Sequence, residues 1–210
     1  MQPRAPSRPL YHAIKRAFDL VASAIGLVVL APVMAVIAAA IFFDSGLPIL
    51  YRSQRLGRHG VPIMVLKFRS MHGSHHHLAE LLTADEERRL EYHVNRKLRH
   101  DPRRTRVGIF LRSTSLDELP QLWNVLIGEM SIVGPRPYFA DEMTDVPEAT
   151  ELLSIRPGIT GLWQVNGRSD RTFAERLSLE TRYVRRRGFV LDFKILVLTV
   201  RAVLSGRGAY

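Results

Sequence analysis

The sequence has no cysteine, which excludes disulfides, thiolate zinc centres and cysteine nucleophiles together. It is also short of acid: twenty Asp and Glu stand against thirty Lys and Arg, a formal charge of +10. Such a surplus draws anionic partners, whether nucleic acid, acidic lipid headgroups or phosphorylated small molecules, and charge alone does not choose among them. No internal repeat of useful period is present. A helix-turn-helix pattern, a zinc motif and an aromatic RNA-binding signature are missing too, which weakens a nucleic-acid role. At 210 residues the chain suits one domain with a core, or one domain plus a membrane element, rather than two full domains.

What the chain does have is one long apolar run. After "MQPRAPSRP", which reads as part of a flexible tail over 1–13, Leu20 to Phe43 carries no charge and is bounded by Asp19 and Asp44. At about 1.5 Å per residue it is long enough to cross a bilayer. Ala38, Ala39 and Ala40 would suit a signal peptide, but the run exceeds an h-region of about 7–15 residues. Arg4, Arg8, Lys15 and Arg16 precede it and Arg52, Arg55, Arg58, Lys67 and Arg69 follow it, so both flanks are drawn to the same membrane face. Pro32 falls at its middle, where it removes a backbone hydrogen bond and favours a kink. The residues leave two readings open: a span, or a hairpin over 14–47 that enters, bends at Pro32 and returns.

Beyond it, "PILYRSQRLGRHGVPIMVLKFRSM" (48–71) reads as a small β hairpin punctuated by Gly57 and Gly60. The histidines of "HGSHHHL" suggest a solvated turn more than a metal site. Residues 79–100 read as a charged surface helix with a narrow stripe of Leu90, Val94 and Leu98. "FVLDFKILVLTVRAVL" (189–204) sets Lys194 and Arg201 on one helix face opposite a broad apolar one, which suits a helix lying in the headgroup region, with a core helix as the alternative.

"STSLDELPQLWNV" (113–125) sets Asp117 beside Glu118. Ser115 and Glu118 match an S-x-x-E capping box, but that register puts Pro120 inside the helix at a cost of about 3 kcal/mol. If Pro120 opens the helix instead, both carboxylates lie just before a helix N-terminus, which keeps acids ionised. Adjacent side chains diverge, so separate roles are expected rather than a shared proton. An ionised carboxylate can attack phosphorus or hold a hard cation such as Mg²⁺. Attack on a diphosphate needs cations to offset charge. Candidates are Lys67 and Arg69 in "KFRSM", Arg112 in "LRSTSLDE", Arg136 between two prolines in "GPRP", and Arg168 in "NGRS". "RPGITGLWQVNGR" (156–168) adds Gly158, Gly161 and Gly167 around Trp163, a loop able to approach a ligand or a turn that packs its tryptophan.

Taken together, "KRAFDL", "PILYRSQRLGRHG", "KFRSM", "DPRRTRVGIFLRSTSLDELPQLWNVLIGEMSIVGPRP", "RPGITGLWQVNGRS" and the terminal "GAY" resemble the bacterial sugar transferases, the monotopic phosphoglycosyl transferases that initiate exopolysaccharide and related glycans. The resemblance covers nearly all of the chain beyond residue 13. It implies transfer of a sugar 1-phosphate from a UDP-sugar to polyprenyl (undecaprenyl) phosphate with release of UMP. Asp117 is implied as nucleophile and Mg²⁺ ligand, assisted by Glu118. Lys67, Arg136 and Arg168 are implied near phosphate or nucleotide, and Asp192 in "LDFKIL" as a further functional acid. The first helix is implied to be re-entrant, on the cytoplasmic face of the bacterial inner membrane.

The expected fold is therefore α+β and mostly helical: the hairpin kinked at Pro32, a small β hairpin, and interfacial helices around a cytoplasmic catalytic domain over 48–210. Membrane lipids are expected partners, nucleic acid is not, and a homodimer is left open. Ala31 stands where many relatives have serine, and Glu180 where they often have aspartate. The insert at 72–100 resembles that of exopolysaccharide enzymes, some of which use UDP-galactose or UDP-glucose. The rival reading is a membrane-tethered, basic nucleic-acid-binding protein, which leaves the Asp-Glu pair without a task.

Overall fold

Pro32 cannot donate to the carbonyl four residues back, and its ring crowds that turn. In the computed structural model, which describes residues 9–72, 75–95, 98, 100–167 and 171–205, the apolar run is accordingly two helices, α1 (Pro9–Val29) and α2 (Ala31–Ser45). They meet at Leu30 with a bend of 59°. Pro32 falls in the first turn of α2, where an N–H would lack a helical partner anyway. Among the described residues no single helix is long and apolar enough to cross a membrane, whereas the bent pair together is. The helix begins at Pro9, inside the stretch read as tail, and residues 1–8 lie outside the described residues.

β1 (Leu50–Leu56) and β2 (Pro62–Phe68) form the expected antiparallel hairpin, with Ser53 opposite Val65. The charged segment is not one helix but two, α3 (His75–Ala84) and α4 (Glu86–Asn95). Asp85 separates them, its carboxylate accepting from Arg88 N at 3.0 Å as a helix cap does. There follow α5 (Arg106–Thr114), α6 (Gln121–Ile127), β3 (Ser131–Val133), α7 (Ala149–Leu152), β4 (Gly158–Thr160), α8 (Phe173–Arg186) and α9 (Phe189–Ser205). β3 and β4 pair in parallel, a pairing too short to leave a sequence pattern.

The core has three parts. Ile37 and Ile41 of α2 pack on Phe68 and Leu111, with Leu116 and Leu119 against them. Ile63 and Val65 of β2 pack on Val125 and Met130. Val133, Tyr138, Tyr183, Val184 and Ile195 fill the third. α5 lies so close to the end of the hairpin that a Cβ on Gly108 would fall 2.0 Å from Ser70 O.

Charged side chains at helix ends join the bent pair to the rest. Arg16 donates to Val125 O and Leu126 O at the end of α6. Arg69 donates to Ser45 O, Gly46 O and Leu47 O where α2 ends, and Asp44 accepts from Val107 N in the first turn of α5. Asp19, buried, accepts from Ile132 N. Both ends of the bent pair are thus held by one body. Large apolar side chains remain exposed on one set of helices: Val28 and Val29 of α1, Val36 and Phe43 of α2, Ile109 and Phe110 of α5, Trp123 and Ile127 of α6, and Phe193, Val197 and Val200 of α9. On α9 the buried residues among those whose burial is described are Asp192 and Ile195, so over that part the helix is neither a core helix nor evenly solvated.

The open edge of β2 is closed by one side chain. Asn124 accepts from Leu66 N at 3.0 Å and donates to Met64 O at 2.8 Å, standing in for a third strand. It also donates to Glu129. Asn124→Ala removes the partner of two part-buried backbone groups and should cost about 1–2 kcal/mol, read as a lower unfolding midpoint in detergent without change in helix content.

Candidate active site

The two adjacent acids sit in a turn of their own. α5 ends at Ser115 in the left-handed region (φ 60°), a 3-10 turn runs over Leu116–Glu118, and α6 begins after Pro120. Ser115 makes no side-chain cap bond, so the capping box is not formed. Leu116 and Leu119 anchor the turn in the core, which leaves Asp117 and Glu118 between them to project elsewhere. Asp117 is 7% exposed. Glu118 accepts from Lys67 Nζ of β2 at 2.7 Å.

This contact sets the acids apart. Burial pushes the Asp117 carboxyl from its ordinary 3.8 up to about 6, with Glu118 adding to the rise and Lys67 and Arg112 opposing it. For Glu118 burial acts in the same direction, but Lys67, Arg112 and a hydrogen bond from Gln121 outweigh it and hold the group below the usual range. Among the described residues no cation lies within ion-pairing distance of Asp117. Arg112 places a guanidinium near both acids, and its buried Nε has no hydrogen-bond partner, an arrangement that suits an incoming anion.

Arg136 belongs to a second group. The "GPRP" loop is anchored by Glu180 of α8, fully buried, which accepts from Arg136 N at 2.7 Å and from the Tyr138 hydroxyl. Burial pushes Glu180 up to about 7 against those two bonds. The Arg136 guanidinium donates to Glu142 at 3.1 Å. Arg55 of β1 lies 4.0 Å from the same carboxylate and stacks on Phe139, 3.1 Å from the ring centroid. Two guanidiniums thus share one acid, and Arg55 Nη1 is buried without a hydrogen bond.

Asp192 forms a third group: it accepts from Lys15 Nζ at 2.7 Å, and from Tyr11 and Tyr183 hydroxyls at 2.8 Å each. It joins α1, α8 and α9. Arg168 lies outside the described residues. The structure therefore brings together Lys67, Arg112, Asp117 and Glu118, sets Arg136 with Arg55, Glu142 and Glu180, and engages Asp192 with the start of α1. Gly158 and Gly161 do approach a backbone closely, but it is that of Gly134 in the "GPRP" loop, where Cβ atoms would fall 2.1 and 2.2 Å from Gly134 N and O.

Arg55, Glu142 and Asn124 were not singled out from the sequence. "YRSQRLGRHG" and "GPRP" were legible as segments, but which of their neighbours would pair was not. Divalent metal fits the dyad by its chemistry. Mg²⁺ is held through one or two carboxylates and the phosphates of its ligand, and Asp117 offers a buried carboxylate without an ion pair among the described residues, beside Glu118. Among the described residues no group of three or more His, Asp or Glu forms a ready-made cage.

The sequence profile described as "Bacterial sugar transferase" matches residues 10–206. The exopolysaccharide production protein ExoY of Rhizobium meliloti is 40% identical over 205 residues, 97% of this chain and 91% of that one. The undecaprenyl-phosphate galactose phosphotransferase of Salmonella typhimurium is 44% identical over 199 residues, 94% of this chain but 42% of its own length. The UDP-glucose:undecaprenyl-phosphate glucose-1-phosphate transferase of Escherichia coli is 38% identical, over 94% of this chain and 41% of its own. A match running from the first turn of α1 through α9, and so across the dyad turn and its cations, places the chain in the bacterial sugar transferase family.

Proposed function

We propose that the chain is a phosphoglycosyl transferase that moves a sugar 1-phosphate from a UDP-sugar to a polyprenyl phosphate, through an ester on Asp117. One observation carries this reading: a buried carboxylate with no cation at ion-pairing distance among the described residues, beside a second acid that Lys67 has already neutralised. The names of the relatives support the reaction class, and point to UDP-galactose and UDP-glucose as the first donors to try.

An Asp117 oxygen attacks the phosphorus that carries the sugar. The bond from that phosphorus to the bridging oxygen breaks, and UMP leaves with the electron pair. An oxygen of the lipid phosphate then attacks the same phosphorus, the bond to Asp117 breaks, the carboxylate is regenerated, and a lipid diphosphate sugar is formed. Arg112 and, from the "GPRP" side, Arg136 and Arg55 offset charge on the phosphates. Arg168 and Asp192 keep the supporting roles that the resemblance implies. Mg²⁺ held at Asp117, with Glu118, supplies further charge neutralisation when bound. The exposed apolar faces of α1, α2, α5, α6 and α9 rest in the acyl layer of the bacterial inner membrane, with the bent pair entering and returning on the cytoplasmic side. Both of its ends being held by one body favours this over a span. No feature of the site favours the nucleic-acid reading.

Wild-type protein with UDP-sugar and Mg²⁺ but no acceptor should release UMP as a burst of at most one equivalent. Asp117→Asn should lose about a thousandfold or more in turnover and yield no phosphosugar adduct by mass spectrometry; wild-type turnover in that variant overturns the mechanism. Its stability should move the other way. The folded carboxyl at about 6 lies above the ordinary 3.8, so burying the charge costs stability fully above pH 6 and not at all below about pH 4. The variant should thus gain about 1–3 kcal/mol at pH 7.5 and nothing in acid. For the same reason the wild-type burst should fall as pH drops through about 6. In Lys67→Met, which loses the cation that opposes this rise, the inflection should move to higher pH.

A further inference from the structure

Where α1 begins is a shallow, open pocket lined by His12, Lys15, Arg16, Arg58, Arg156 and Arg187 among others. The transfer reaction uses none of them. Lys15, Arg16, Arg58 and Arg156 face two carboxylates, Asp19 and Asp192, so two positive charges stand uncompensated before Arg187 is counted. The repulsion is felt within the group: Arg156 is lowered by burial and then by Arg16 and Arg58, and His12 by burial and then by Arg187, Arg58, Arg156 and Lys15.

Two of these guanidiniums are tethered through one nitrogen, Arg156 firmly and Arg58 more weakly at the surface. Arg156 donates Nε to Gly128 O at 2.7 Å, and Arg58 donates Nε to Ser154 O at 3.2 Å. Their terminal nitrogens have no protein acceptor among the described residues. Planar forks with one edge anchored and the other open, gathered around a cavity, suit the oxygens of a phosphate.

The phosphate is not the one that reacts. Arg16 holds the last carbonyls of α6, whereas Asp117 precedes its first residue, and a helix of this length separates the two by about 10 Å. The rim indicates what carries it. Tyr11, a wall of the cavity, packs on Phe189 with ring centroids 5.1 Å apart. Leu10 and Val190 beside these are 71% and 85% exposed. A charged cavity bordered by unpartnered apolar side chains matches a phosphate joined to acyl chains, and a soluble ligand would make no use of the border.

We propose that this cavity, built around the open forks of Arg58 and Arg156 between the start of α1 and the α8–α9 junction, with Arg16 adding charge while its own terminal nitrogens hold the end of α6, is a non-catalytic site for the phosphate of an anionic phospholipid. It holds the protein at a fixed depth and orientation in the headgroup layer. The proposal does not depend on the donor or on the Asp117 ester, and its test uses neither.

The test is binding of the full chain to phosphatidylcholine vesicles with and without phosphatidylglycerol, by flotation at one fixed salt concentration. Arg58→Gln with Arg156→Gln should bind phosphatidylglycerol vesicles about tenfold more weakly than wild type and match it on phosphatidylcholine alone. Arg182→Gln with Arg186→Gln, two exposed residues of α8, removes the same charge elsewhere and should cause little loss. Arg58→Gln alone, whose bond to Ser154 is at the surface, should give part of the loss and guards against misfolding of the double variant. Equal losses from the two double variants, or none from Arg58→Gln, overturn the proposal. So does displacement of wild type from the vesicles by submillimolar inorganic phosphate, which would assign the cavity to a soluble phosphate.

Discussion

A single ammonium group decides which of two adjacent carboxylates keeps its charge to itself. Lys67 Nζ lies against Glu118, so the second acid of the pair is neutralised and held low while Asp117, the more deeply buried of the two, is left to rise. The contact depends on register. Side chains alternate along β2, and a slip of one residue would send Lys67 to the other face and Val65 out of the core. Asn124 forbids that slip by fitting both Met64 O and Leu66 N. Asn124 lies on α6, which Pro120 starts just after the acids. One short helix thus fixes the turn at its front and the strand beside it.

The same economy holds the bent helices in place. Any helix exposes four N–H groups at its start and four carbonyls at its end. Here the charged residues bounding the apolar run, with Arg69, meet such groups or the chain just beyond them: Arg16 at the end of α6, Arg69 where α2 ends, Asp44 at the start of α5, and Asp19 at β3. Part of the positive charge flanking the run is therefore occupied within the protein, which a count of basic residues does not reveal. Arg58 and Arg156 differ in keeping their outer nitrogens open.

Much of this was legible in the residues, for local reasons. A proline at position 32 of the chain, inside an uncharged run with basic flanks, points to a bend, and Pro120 excludes a capping-box helix, because both effects act within one turn. The β hairpin declares itself through Gly57 and Gly60. The division of the charged segment at Asp85 was missed, since a helix cap and an internal aspartate look alike until the chain turns. Glu142 and Glu180 were not assigned because what they do depends on Arg55, Arg136 and Tyr138, residues placed by folding and not by spacing. The glycines of "RPGITG" were read either as room for a ligand or as a turn packing Trp163, and the structure sets Gly158 and Gly161 against Gly134. Close approach was the correct inference, and its object was another loop.

Gly108 bears on all of this through an atom it does not have. α5 lies directly on the carbonyl of Ser70, with no space for even one carbon between them, and α5 leads within a few residues to the turn that carries Asp117. The missing methyl acts as a spacer gauge. It sets how high the acid rides above the bent helices, so adding that methyl would lift the whole ledge and, in the proposed reaction, carry the attacking oxygen away from a substrate whose altitude a bilayer would dictate.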